Sequence, residues 1–93
     1  MPTASARHIL VPTEADANEL LEELRNGADF AELARENSGC PSGEDGGNLG
    51  SFQPGMMVKE FDEVVFSAEV GVPVGPVQTQ FGYHVIEVTS RDD

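Results

Sequence analysis

Three side chains in this sequence can exchange protons or attack carbon near neutral pH: the single thiol, Cys40, and the two imidazoles, His8 and His84. A Cys–His pair suits acyl transfer through a thiolate nucleophile, although nothing in the sequence supplies an orienting third group or an oxyanion hole. Two histidines and a cysteine are also three zinc ligands, but they lie far apart and match no local zinc motif. A third possibility needs the two histidines on neighbouring strands. They would then share one hydrogen bond, one ring donating and the other accepting, with both neutral. The plainest alternative is a pair of unrelated core histidines, each satisfied by its own surroundings.

The elements that must position these groups can be read from periodicity and caps. "ARHILV" (6–11) is short, partly β-branched and closed by Pro12, which predicts a strand with His8 and Leu10 on one face. "PTEADANELLEELRNG" predicts a helix capped by Thr13, with Asp16 in its first turn, Ala17, Leu20, Leu21 and Leu24 on one face, and Gly27 as C-cap. "DFAELAREN" predicts a second helix, with Asp29 as cap, Glu32 three residues on, and Phe30, Leu33 and Ala34 facing inward. "NLGSF" reads as a short strand. "VKEFDEVVFS" reads as a third helix offering Phe61, Val64, Val65 and Phe66, with Met57 and Val58 at its entrance.

"GPVQT" and "GYHVIEVTS" read as a final hairpin turning at "QFG", which puts His84 on a face with Ile86 and Val88. The order β, α, α, β, α, β, β with late strands is α+β: a small, mostly antiparallel sheet with helices around it. The first and last strands are natural central partners, an arrangement that would bring the two histidines together. The intervening "GEDGGNLG" is a poor phosphate loop: Glu44 and Asp45 repel anions, no lysine is near, and no helix follows. Residues 43 to 47 read as a solvated turn whose glycines supply positive φ.

The 93 residues carry 17 acidic and 5 basic side chains, a formal charge of −12, with Lys59 the only lysine. That balance excludes the usual nucleic-acid and anionic-membrane binders, which neutralise phosphates with Lys and Arg. It also fits a salty cytoplasm, where added ions screen the repulsion among carboxylates. One cysteine forms no internal disulfide. The opening "MPTASARHIL" has no basic region followed by an apolar run, and no apolar stretch approaches a membrane span. A single domain over 1–93, cytoplasmic and monomeric, is the expectation.

Taken together, "RHILV", "GADFAELARENSGCPSGEDGGNLGSFQPGMM", "EFDEVVFS" and "GPVQTQFGYHVIEV" resemble the parvulin family of peptidyl-prolyl cis–trans isomerases. The resemblance covers about residues 6 to 90 in family order and is nearest to small prokaryotic members made of the catalytic domain alone. It implies a four-stranded antiparallel sheet surrounded by three to four short helices, a non-covalent rotamase activity, no cofactor and no metal. Its partners would be proline-containing extended or unfolded polypeptides.

By the same resemblance, His8 and His84 match paired histidines beneath the active site, and Thr79 a hydroxyl beside them. Cys40 matches the position facing the substrate carbonyl, where other members carry Cys or Asp. Leu49, Met57 and Phe61 match the proline pocket. Phe52 supports it, and Phe81 matches a variable position lining the cleft. Members that select phosphoserine or phosphothreonine before proline carry a basic loop after the first strand. Here that connection is "VPTE", so no phosphate requirement is expected. Two rivals remain at this point: a binding module that holds proline segments without catalysis, and a cysteine hydrolase using Cys40.

Overall fold

The longest strands are the first and last, and they pair with each other. A computed structural model of the chain describes residues 3–39, 41–57 and 59–92; Cys40 and Val58 lie outside the described residues. The element order is β1 (Thr3–Val11), α1 (Glu14–Arg25), α2 (Phe30–Asn37), a 3-10 turn (Pro41–Asp45), β2 (Asn48–Phe52), α3 (Lys59–Val65), β3 (Val74–Thr79) and β4 (Gly82–Asp92). The four strands form one antiparallel sheet in the order β2-β1-β4-β3.

β1 starts earlier than its apolar pattern predicts. Thr3 to Ser5 are paired with β4, and Ala4 and Ser5 also pair with β2, so partners on both sides hold a stretch that periodicity alone leaves open. Alternation along β1 then divides the core into two layers. Ile9, Val11 and Val85 pack with Ala17, Leu20 and Leu21 of α1 and Phe30 and Ala34 of α2. Ala4, Ala6, Ile86 and Val88 face the other way and pack with Phe52, Phe61 and Val65. The sheet is therefore covered by α1 and α2 on one face and by α3 on the other.

The helix starts follow their caps. Thr13 Oγ1 accepts the Asp16 N–H at 3.1 Å, and Asp29 accepts the Glu32 N–H at 3.1 Å; each satisfies one donor that the first turn would leave unpaired. Asn26 ends α1 and Gly27 follows at φ +98°, the left-handed exit that glycine makes without strain. Between β1 and β4, Arg7 faces Glu87 in register and pairs with it, and its guanidinium lies 4.6 Å from the centre of the Phe30 ring. This ties α2 to the sheet through a cation–π contact.

The glycine-rich segment departs from the expected solvated turn. Glu44 and Asp45 are exposed, but Gly43, Gly46 and Gly47 are buried. Gly47 lies against β1: its carbonyl accepts the His8 N–H at 2.9 Å, and a Cβ there would stand 2.2 Å from the His8 carbonyl oxygen. With φ at +84° as well, the position needs glycine on two counts. Among the described residues no helix is long and apolar enough to cross a membrane.

Candidate active site

The register of the two central strands decides where the histidines go. His8 sits opposite Ile86 and Leu10 opposite His84. The two imidazoles are thus diagonal neighbours on one face, within reach of each other. Both are buried, each 5% exposed. Their Nδ1 atoms lie 2.9 Å apart, with ring planes inclined by 14°. His84 Nε2 lies 2.8 Å from Thr79 Oγ1, and the same hydroxyl oxygen accepts the Phe81 N–H at 3.2 Å.

Thr79 Oγ1 accepts from the Phe81 amide and keeps a second lone pair, so it can either donate to His84 Nε2 or accept from it. With both rings neutral, one ring carries its proton on Nδ1 and donates it to the other, which is protonated on Nε2. Neither ring is a cation at neutral pH. Burial lowers the His8 pKa from 6.5 to about 4, helped by the neighbouring His84, and burial also lowers that of His84. A buried imidazolium pair sharing one bond would be opposed by both desolvation and like charge.

An aromatic wall stands against the pair. The Phe61 ring meets His8 edge-on at 5.6 Å and His84 at 5.8 Å, and Phe52 meets Phe61 at 6.5 Å. Leu49 and Met57, both partly buried, pack against the same cluster. The structure therefore brings His8, His84, Thr79, Phe61, Phe52, Leu49 and Met57 into one neighbourhood on the α3 face of the sheet. Phe81 does not join them: it sits at the β3–β4 turn with its side chain 66% exposed and reaches the network through its backbone N–H. Cys40 lies outside the described residues; its neighbour Gly39 is held to the end of β1 by a 2.8 Å bond from its N–H to Leu10 O.

Residues 2–92 match the family described as the PPIC-type PPIase domain. The chain belongs to that family. It is 46% identical over 93 residues to foldase protein PrsA 4 of Bacillus cereus, covering 99% of this chain and 33% of that protein. It is 47% identical over 92 residues to foldase protein PrsA of Geobacillus kaustophilus, covering 98% and 33%. The chain thus spans about a third of the length of these curated relatives.

Among solved structures, peptidylprolyl isomerase PrsA from Bacillus anthracis superposes with a TM-score of 0.95 at 41% identity, over 99% of this chain and 43% of that one. NmPin, the parvulin of Nitrosopumilus maritimus, gives 0.88 at 37% identity and is matched almost end to end, 97% of this chain and 98% of that one. The four-stranded, helix-covered architecture is the parvulin fold.

Within this PPIC-type domain, three contacts around the cluster are not fixed by residue type alone. Gly47 holds the His8 backbone. The Phe81 amide orients Thr79. Asp62 Oδ1 accepts the Gly55 N–H at 3.1 Å. The signals available in principle were an adjacent glycine pair before a strand, a Thr two residues before a turn amide, and an acid directly after a pocket phenylalanine.

Proposed function

We propose that this domain accelerates rotation about Xaa–Pro bonds in polypeptides without forming a covalent intermediate. The observation that carries the reading is the neutral, buried His8–His84 pair packed against Phe61 in an apolar cluster, in a chain of the PPIC-type family. The barrier to be lowered is resonance, roughly 18–20 kcal/mol. Twisting the amide localises the lone pair on the proline nitrogen and withdraws negative charge from the carbonyl oxygen. A site that holds the ring and is less polar than water favours the twisted amide over the planar one.

Leu49, Met57 and Phe61 receive the ring in this reading, and Phe52 backs Phe61. Burying about 100 Å² of apolar ring surface stabilises the complex by about 2–3 kcal/mol. Thr79, His84 and His8 form a hydrogen-bonded chain behind the site, and the family resemblance assigns Cys40 an electrostatic or steric role toward the substrate carbonyl. Phe81 meets the substrate at the rim. The partners are extended polypeptides containing proline.

No phosphate is needed. The β1–α1 connection is Pro12 and Thr13, without a basic residue, Arg7 is paired with Glu87, and the charge of −12 repels a phosphorylated segment at long range. The test is a ranking of kcat/KM across matched peptides with Ala, Phe, Glu or phosphoserine before proline. Ala and Phe are expected to lead, and a phosphoserine peptide at the top would overturn the specificity. Cys40→Asp is expected to retain turnover, whereas a hydrolase would lose everything on this change.

A further inference from the structure

The prolyl pocket draws Met57 from the segment between β2 and α3, and Phe61 from α3 itself. The segment Gln53–Met57 is a small closed turn: Met56 N–H donates to Gln53 O at 3.2 Å, and Gln53 N–H points at Met56 Sδ at 3.2 Å. It has few apolar anchors. Met56 is 65% exposed, and Gly55, at φ +88°, has no atom within 4 Å of where a Cβ would stand. Among the described residues, the bond from Gly55 N–H to Asp62 Oδ1, 3.1 Å long, joins the turn to α3. Asp62 follows Phe61 directly in α3, so one carboxylate links the elements that supply two of the three pocket side chains, Met57 and Phe61.

We infer that Asp62 is a positioning residue for substrate binding: by holding the 53–57 turn on α3 it fixes Met57 beside Phe61 and so sets the width of the pocket. The inference rests on the isomerase reading. Asp62 also lies in the first turn of α3 with Glu60, where a negative charge favours the helix. The two roles separate by chemistry. Helix stabilisation needs the charge; holding Gly55 needs only an acceptor oxygen, which Asn retains.

The experiment measures kcat and KM on an Ala-Pro peptide by exchange NMR for the wild type, Asp62→Asn and Asp62→Ala, together with Gly55 amide hydrogen exchange and the Met57 methyl shift. Asp62→Ala is expected to raise KM about 5-fold with kcat within about 2-fold, to speed Gly55 amide exchange at least 10-fold, and to move the Met57 methyl. Asp62→Asn is expected to bring all three back to within about 2-fold of wild type. Equal behaviour of Asn and Ala, or an unchanged Gly55 amide in Asp62→Ala, overturns the positioning role. The amide and methyl readouts need no turnover, so a wild type that catalyses nothing refutes the isomerase reading while leaving the tether testable. Asp62→Ser is the second truncation should Asp62→Ala fail to fold.

Discussion

Burial keeps both imidazoles neutral, and each supplies the hydrogen-bond partner of the other's Nδ1. His8→Leu or His84→Leu leaves the surviving ring with an unsatisfied nitrogen in a buried site, at a cost of roughly 1–3 kcal/mol each. Because both single replacements break the same bond, the double variant is expected to cost less than their sum, read from denaturant midpoints in a double-mutant cycle. The pair also makes stability depend on pH. The native pKa of His8 is lowered from 6.5 to about 4, so between those values the unfolded chain binds a proton that the native chain does not. Its contribution is complete above pH 6.5 and is lost as pH falls toward 4. By pH 5 the loss is on the order of 2 kcal/mol, or about 10 °C in Tm for a domain of this size. A thermal midpoint that does not fall between pH 7 and 5 would contradict a neutral, buried pair.

At the scale of elements, the histidine strand is held from two sides, by β4 along its length and by the glycine segment at Gly47. Gly47→Ala is expected to destabilise the fold by roughly 3 kcal/mol, since it combines a strained φ with a backbone collision; a calorimetric loss under 1 kcal/mol would contradict that packing. Gly50 makes the contrast: its φ is +76° but nothing stands within 4 Å of its missing Cβ, so Gly50→Ala carries only the backbone strain. Here the limits of sequence reading become physical. Caps, the 3.6 period of α1 and α2, and the two-residue turn before Gly82 are local rules, and they place those elements within a residue or two of where they stand. The pairing of β1 with β4 was also within reach, because a terminal strand is often paired to tie the chain down. Gly47 and Phe81 act through backbone atoms, which look the same in every residue type. A glycine that bears on a neighbouring strand reads like a glycine in water until the strand is in place. Asp62 is legible as an acid in a first turn, and only the fold shows which amide it holds.

The whole molecule is an acidic shell around a two-layer core. Among the described residues the ion pair is Arg7–Glu87, against 17 acidic side chains in the chain. Carboxylates at this density repel one another, and the screening length shortens from about 10 Å at 0.1 M salt to about 3 Å at 1 M. Tm is therefore expected to rise with NaCl over that range, and a flat or falling curve would remove repulsion as a determinant of stability. The same charge leaves catalysis of neutral peptides untouched, because an apolar pocket closes on the proline ring rather than on a charge. That separation leads to the most direct measurement of the central claim: two-dimensional exchange NMR on a short peptide with one Ala-Pro bond and a catalytic amount of protein. Cis–trans exchange cross-peaks that appear only with protein, and persist when NaCl is raised, are the predicted result. Shifts or broadening of the peptide signals without exchange cross-peaks would contradict it and leave a domain that holds proline segments without turning them.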